Sequence, residues 1–276
     1  MRIALFTRLP GLLGGISSIV IGLGHEFAGV VTTEGPANRY GPVPLATLLE
    51  ARPEGSDVLV ADSSARFAPL LASLEPDLAL CGGFPVRIPA EAIAVPRLGV
   101  LNGHPSPLPR YRGPNPLGWA VRNGDRELGF TFHFMDAEID TGPILLQGFA
   151  PIGPDDGAEE LVEALFVLWS SLLPGALMLV EGGERGTAQS EKGASYAGFF
   201  ERDYVQLDLR TADAAQRQVR AWAISVRRGD VDGPVTTIDG ARVVVRRSRL
   251  DDAAGGVPLE CADGSALWVV ETRPAG

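Results

Sequence analysis

Short apolar runs alternate with helix-forming stretches through the first hundred residues. This alternation is typical of a parallel sheet that is covered by helices on both faces. The pattern therefore predicts an α/β domain with a Rossmann-like, mostly parallel sheet. The expected strands are residues 2–7, 27–33, 57–61, 77–81 and 98–101, and the expected helices are a stretch ending at residue 23, residues 45–51 and residues 64–74.

Two longer patterns follow in the second hundred residues. Residues 128–134 alternate between apolar and polar side chains, which predicts a strand at a sheet edge. Residues 157–180 form the longest helical pattern. Its apolar part contains Glu163, Ser170, Ser171 and Pro174, which favours a buried helix with a break over a membrane span.

The C-terminal part has a different pattern. Residues 181–198 are rich in glycine, residues 212–223 predict a helix, and the runs 235–238, 241–245 and 266–270 predict short strands. We expect a catalytic domain over residues 1–185, a linker over 186–204, and a small β-rich, open barrel-like domain over 205–276.

The charge of the chain is concentrated in its larger, N-terminal part. Residues 1–204 hold 14 Lys and Arg against 24 Asp and Glu, whereas residues 205–276 hold 10 against 10. Nucleic acids are bound largely by neutralising phosphates with basic side chains, so the composition argues against a nucleic-acid partner.

Two distant cysteines and no leader-like segment predict a cytoplasmic protein with reduced thiols and no membrane association.

Asn102 and His104 begin the part of the sequence that is richest in candidate chemistry. They follow a predicted strand, two residues apart, so their side chains project to the same side. Active sites of open parallel sheets gather at the carboxyl ends of the strands. Prolines at 105, 107, 109 and 114 then predict a stiff loop. The other two histidines, His25 and His133, we interpret as surface or structural residues.

A second polar group follows the strand 128–134. Asp136, Glu138 and Asp140 crowd a short turn, which also suits a cation site, but the spacing lacks that of a calcium loop and predicts no metal. An Asn, a His and an Asp suit acyl transfer to an amine. The imidazole can accept or relay the proton, and the amide can donate to the oxyanion. The carboxylate can orient the histidine, stabilise the imidazolium or order a water.

The motif Asn102-x-His104-x-Ser106-x-Leu108-Pro109, with Gly113 and then Asp140-Thr-Gly142, resembles the folate-dependent formyltransferase family. That family includes the methionyl-tRNA, glycinamide ribonucleotide and sugar N-formyltransferases. The resemblance implies transfer of a formyl group from the co-substrate 10-formyltetrahydrofolate, with Asn102, His104 and Asp140 as catalytic residues. It also implies a folate pocket lined by Phe84, Arg87, Ile88, Pro89, Asp136, Glu138 and Ile139.

The acceptor amine is less constrained by the sequence. We expect a small-molecule or peptide-like amine, such as an amino sugar, a hydroxyornithine or a natural-product precursor. It would enter beside Gly103, where the family usually has a branched residue, and meet Ser106, Arg112 and Gly113. Methionyl-tRNA formylation is the alternative, followed by hydrolysis of the formyl-folate and by a non-enzymatic folate-binding module.

Two sequence features bear on the tRNA alternative. Residues 33–44 carry one Arg, one Glu and no Lys, although the tRNA-formylating relatives have a basic loop there. The small C-terminal domain resembles the appended barrel of those enzymes. A basic channel built by Arg220, Arg227, Arg228, Arg246 and Arg247 would favour tRNA.

Overall fold

The computed structural model describes residues 1–33, 45–225, 233–252 and 255–275. Two compact units result from the chain's contacts, and each is assembled from three segments. The first unit comprises Met1–Arg112, Gly129–Ala150 and Ala164–Ser195, and the second comprises Gly113–Leu128, Pro151–Glu163 and Tyr196–Gly276. The domain boundaries predicted from the sequence stay a prediction.

Eleven strands are present in the described residues. In chain order they are β1 (Arg2–Phe6), β2 (Glu26–Thr33), β3 (Asp57–Ala61), β4 (Leu78–Cys81), β5 (Val100–His104), β6 (Glu127–Phe134), β7 (Ile144–Pro151), β8 (Val235–Ile238), β9 (Ala241–Arg249), β10 (Val257–Glu260) and β11 (Ala266–Pro274).

The described residues also form seven α-helices and two short 3₁₀ helices. The α-helices are α1 (Pro10–Gly22), α2 (Leu45–Ala51), α3 (Phe67–Ser73), α4 (Ala90–Ile93), α5 (Pro116–Asn123), α6 (Ala158–Glu181) and α7 (Ala212–Ile224), and the 3₁₀ helices are Ser64–Arg66 and Arg202–Val205.

Seven strands form the large sheet, in the order β3-β2-β1-β4-β5-β6-β7. The first five pair in parallel, and β6 runs antiparallel to β5. This arrangement confirms the expected Rossmann-like α/β class. The strand 128–134 was wrongly predicted at the sheet edge, because β7, which the sequence pattern did not reveal, pairs with its outer side.

Alternate residues of each central strand pack on opposite faces of this sheet. Ile3 and Leu5 of β1 belong to one buried cluster, while Ala4 and Phe6 belong to another. Period-two alternation of side chains explains this division. Both faces are therefore covered, and the polar ends of β5 and β6 are held on a rigid frame.

Helix α6 covers the first of these faces with Leu168, Trp169, Leu173 and Leu177. The expected break at Pro174 is absent, since α6 continues through this residue from Ala158 to Glu181. Helix α6 is long and apolar enough to cross a membrane, but core helices of soluble proteins can have the same length and composition. One side of α6 belongs to the buried cluster that contains Ile3 and Leu5, whereas Val167 and Met178 on the same helix are exposed.

The second unit contains α5, α7 and a four-stranded antiparallel sheet in the order β10-β11-β9-β8. A small core of Leu207, Val219, Leu267 and Val269 lies between α7 and this sheet. The structure confirms the small β-rich unit. It adds strand β10 and extends β9 and β11 beyond the expected runs, because long antiparallel pairing tolerates their polar, exposed residues.

Candidate active site

Polar side chains converge at the carboxyl end of β5. Asn102 and His104 lie on one face of this strand, two residues apart, and pair in register with His133 and Thr131 of β6. The sequence pattern placed His104 after the end of the strand. In the structure β5 extends through His104, so this histidine belongs to the sheet and not to the loop that follows. Side chains that face each other across an antiparallel pair lie close together, so β6 completes the polar cluster.

The proton on neutral His104 can be assigned from its surroundings. Its Nε2 lies 2.9 Å from the carbonyl oxygen of Tyr111. A carbonyl oxygen only accepts, so the Nε2–H donates to it and Nδ1 carries the lone pair. The Nδ1 atom lies 3.6 Å from Oδ2 of Asp140. The imidazole is therefore oriented as a base that faces a carboxylate.

His104 is 5% exposed, and its burial lowers the pKa of the imidazole below its ordinary value of 6.5. The negative charge of Asp140 and the hydrogen bond to Tyr111 oppose this effect without cancelling it, and His133 adds to it. His104 is thus neutral at neutral pH. Asp140 stabilises the imidazolium once the ring accepts a proton.

His133, which we interpreted from the sequence as a surface or structural residue, is buried and belongs to this cluster. Its Nδ1 lies 3.0 Å from the carbonyl oxygen of Phe134, so Nδ1 donates and Nε2 accepts. Nε2 lies 3.0 Å from Nδ2 of Asn102 and 3.6 Å from Oδ1 of Asp140. His133 thereby fixes the Asn102 side chain with its NH₂ group inside the cluster.

We name residues Asp136–Thr141 the acidic loop. Asp140 has a φ of 55°, a left-handed conformation that is uncommon for a residue other than glycine. The Asp136 carboxylate accepts from the Glu138 amide and the Thr141 hydroxyl. These bonds stabilise the turn that leads to Asp140.

We name residues Pro105–Arg112 the proline loop. The buried Thr131 hydroxyl donates to the Ser106 carbonyl and accepts from the Leu108 amide, and Gln147 donates to both Thr131 and Leu108. The loop places the Tyr111 carbonyl against His104. It therefore supports the site, and the stiffness expected from its prolines stays a prediction.

Three residues expected to meet the acceptor have other partners. A Cβ on Gly103 would lie 2.0 Å from the indole of Trp169, so core packing fills the space that we expected to be open. The Ser106 hydroxyl is buried and donates to the Arg110 carbonyl. Arg112 donates to Gln189 and Glu191. Gly113 as an acceptor contact stays a prediction.

The two segments expected to line a folate pocket are joined by a hydrogen bond from the Arg87 guanidinium to the Ala137 carbonyl. Glu138 and Ile139 are exposed beside Asp140, whereas Asp136 is tied into its own turn. The Ile88 side chain is buried in the core, and its role in a folate pocket stays a prediction. Phe84 packs against Phe6 and Phe67, and Pro89 precedes α4.

Cys81 ends β4 in register with Asn102. Burial, and to a lesser extent the charge of Asp140, raises the pKa of this thiol to about 12. The thiol is therefore protonated and does not provide a nucleophile.

The basic residues of the second unit are already engaged in part. Arg220 donates to the carbonyl oxygens of Gly153, Pro154 and Asp156, and burial lowers the pKa of its guanidinium. Arg220 thus stabilises its own unit, and its guanidinium is bound to backbone carbonyl groups instead of contributing to the basic channel considered above. Arg227, Arg228 and most of the segment 33–44 lie outside the described residues.

Comparison with known proteins gives consistent results. A family model described as formyl transferase matches residues 59–177, which include Asn102, His104, His133 and Asp140. A methionyl-tRNA formyltransferase of Roseiflexus castenholzii is 33% identical over 271 residues, covering 91% of this chain and 84% of the relative.

Solved structures share the fold at low sequence identity. The N-formyltransferase of Helicobacter canadensis, crystallised with folinic acid and dTDP-3-aminofucose, superposes with a TM-score of 0.69 at 16% identity and covers 98% of both chains. HypX of Aquifex aeolicus, in complex with tetrahydrofolic acid, has a TM-score of 0.69 at 20% identity, covering all of this chain and 44% of its own.

Proposed function

Because the chain belongs to the folate-dependent formyltransferase family and is a formyl-transferring enzyme, we propose that Asn102, His104 and Asp140 carry its chemistry. Formyl-folate is the co-substrate. One observation supports the proposal above the others: His104 donates through Nε2 to Tyr111 and faces Asp140 with Nδ1. This is the arrangement that a neutral general base requires.

The geometry supports a direct attack by the acceptor amine on the formyl carbon. His104 accepts the proton of the amine at Nδ1, and Asp140, 3.6 Å away, stabilises the resulting imidazolium. Asn102 has two amide hydrogens and uses one on His133, so the other is available to the oxyanion of the tetrahedral intermediate. The proton then passes to the departing folate nitrogen as the carbon–nitrogen bond breaks.

We propose that folate contacts the exposed acidic loop. Glu138 and Ile139 are exposed next to Asp140, and Arg87 connects this loop to the segment before α4. A planar pterin and its polar edge suit this combination of one apolar side chain and backbone groups.

For the acceptor we propose a small-molecule or peptide-like amine, such as an amino sugar, a hydroxyornithine or a natural-product precursor. The excess of acidic residues over 1–204 and the scarcity of basic residues over 33–44 support this choice. The engagement of Arg220 by three carbonyl groups supports it further. Phosphate-rich partners need basic side chains that are available to them.

Methionyl-tRNA is the second candidate acceptor. It is favoured by the 33% identity to a methionyl-tRNA formyltransferase over most of the chain. In that case, binding would weaken steeply with salt, since each neutralised phosphate releases counterions.

Parallel formylation assays distinguish these candidate acceptors. Purified protein would be incubated with 10-formyltetrahydrofolate and, in parallel, with charged initiator tRNA, with a panel of amino sugars and hydroxylated ornithines, and with buffer alone. Mass spectrometry would detect the gain of one formyl group. We expect a product only in the small-amine arm. A saturating tRNA reaction would overturn our choice of acceptor, and formate release in buffer alone would indicate hydrolysis.

We also infer a cytoplasmic location. Both cysteines are free and buried, as expected for a protein kept in a reducing compartment. A membrane-fraction assay of the expressed protein tests this inference.

A further inference from the structure

The segment that follows α6, Thr187–Ser195, contacts both halves of the active site, and we name it the support segment. Ser195 accepts from the Tyr111 amide and donates its own amide to the Pro109 carbonyl. Gln189 contacts the other half at Asp140 and Gly142. The carbonyl that holds His104 and the backbone that presents Asp140 are thus tied to the same nine residues.

Both the nitrogen and the oxygen of the Gln189 carboxamide form hydrogen bonds. Its Nε2 donates to the carbonyl oxygens of Asp140 at 2.9 Å and Gly142 at 2.8 Å, and its Oε1 accepts from Arg112 Nε at 3.1 Å and Nη2 at 2.9 Å. An arginine only donates and a carbonyl only accepts, so these partners allow one orientation of the amide.

The two donated bonds end at Asp140 and Gly142, in the turn at which the chain adopts its left-handed conformation. Asp140, with a φ of 55°, lies inside this turn. A Cβ on the next glycine, Gly142, would lie 1.9 Å from the Phe134 carbonyl, so the turn is pressed against the end of β6. A strained residue keeps such a conformation only when its surroundings impose it.

We propose that Gln189 is a positioning residue: with Arg112 behind it, it holds the Asp140 turn so that the carboxylate faces His104 and His133. This inference rests on the proposed function, because it concerns the same catalytic carboxylate. It also gives Arg112, which we expected to contact the acceptor, the role of orienting the Gln189 amide.

Two substitutions remove the donated bonds in different ways. Gln189→Glu keeps an acceptor for Arg112 but donates nothing to Asp140 and Gly142. Gln189→Met adds no charge, has a similar length, and neither donates nor accepts. Glu191→Gln is the matched control, because it alters the exposed partner of the same arginine and leaves the Gln189 bonds in place.

The first measurement needs no acceptor. The chain has three histidines, so selective ¹⁵N-histidine labelling resolves His104 in an NMR titration. Asp140 raises the pKa of His104, whereas burial and His133 lower it. Asp140→Asn should therefore lower the His104 pKa. We expect Gln189→Met to shift it in the same direction by at least half as much, and Glu191→Gln to leave it unchanged.

The second measurement is kinetic. Misplacing a catalytic group by about 1 Å costs roughly 100-fold in rate, so both Gln189 variants should lower kcat by roughly 10- to 100-fold with KM values within about threefold. In the Asp140→Asn background, the same substitutions should have little further effect, because their target is already lost.

The outcomes separate the two proposals. An unchanged His104 pKa and kcat in both Gln189 variants, or full additivity with Asp140→Asn, would overturn the positioning role. If Asp140→Asn itself neither shifts the His104 pKa nor lowers kcat, the proposed catalytic site is wrong, whatever Gln189 does. A melting temperature reduced without a pKa shift would assign Gln189 to stability alone. If Gln189→Met does not fold, Gln189→Glu still tests the loss of donation through kcat.

Discussion

The proline loop and the acidic loop supply the two sides of one active site by opposite means. In the proline loop, Thr131 and Gln147 bind the backbone from the buried side, and Tyr111 is 3% exposed. In the acidic loop, residues 136–139 are exposed, and Gln189 binds the backbone only where the loop ends, at Asp140 and Gly142. The base is therefore held by the core, whereas its carboxylate partner is presented by a turn that needs separate support.

This difference between the two loops predicts which substitutions affect folding stability and which affect mainly catalysis. A buried loop carries its hydrogen bonds as part of the fold, so changing them costs folding free energy. An exposed loop is changed at little cost to folding, so its substitutions report mainly on substrate and rate. Five substitutions, arranged in four tests, examine this contrast.

Replacing His104 by alanine should have the largest effect. It removes the base held by the proline loop, and we expect kcat/KM to fall by roughly 10²- to 10⁴-fold with little change in folate affinity. Steady-state kinetics with the identified acceptor and a folate-binding titration measure both quantities. His25→Ala is the control, since His25 contacts the Met1 amino group and Glu181 instead. Near-normal turnover of His104→Ala would refute the mechanism.

Replacing Asp140 by asparagine tests the acidic loop. The base must be neutral to act, so activity is lost as pH falls through the pKa of His104, which lies below 6.5. Asp140 raises that pKa, and its neutralisation should move the acid limb of the kcat/KM profile to lower pH. We also expect a loss of roughly 10- to 1,000-fold in rate at neutral pH. An acid limb that moves to higher pH, or a loss of cooperative melting, would contradict this role.

The sequence was sufficient to predict β1 to β6 and the helices α1, α2 and α3, because most of these strands are short, almost uninterrupted apolar runs. It also singled out Asn102, His104 and Asp140, which the structure brings together. Strand β7 escaped prediction because it lies at the sheet edge, where its residues are only partly buried and show no clean alternation.

His133 escaped prediction for a different reason. Its place opposite Asn102 depends on the register of two antiparallel strands that are about thirty residues apart in the chain. The signal was the pair Thr131 and His133, polar residues alternating with Phe130, Phe132 and Phe134 on a strand. Gln189 gave no signal at all, since its role depends on a contact between a glycine-rich segment and the Asp140 turn.

Two threonines allow a matched test of the stability contrast. Thr131→Val leaves buried partners at Ser106 and Leu108 without their hydroxyl, so we expect the free energy of unfolding to fall by about 1–3 kcal/mol. Thr141→Val removes one bond to Asp136 in the exposed loop and should cost less than about 0.5 kcal/mol. Urea denaturation measures both. Equal losses would show that the two loops contribute alike to folding.

The smallest effect on the kinetics should come from Ile139, which is 46% exposed in the acidic loop. If its side chain covers the bound folate, Ile139→Ala removes apolar contact of about 1 kcal/mol, which corresponds to a rise of about fivefold in the KM for formyl-folate. Because the side chain is exposed in the free protein, neither kcat nor the melting temperature should change. Ile21→Ala is the control, since Ile21 is 50% exposed at the end of α1, away from the carboxyl end of β5. An unchanged KM would move the folate away from this loop, whereas a lower melting temperature would show that Ile139 supports the turn rather than the substrate.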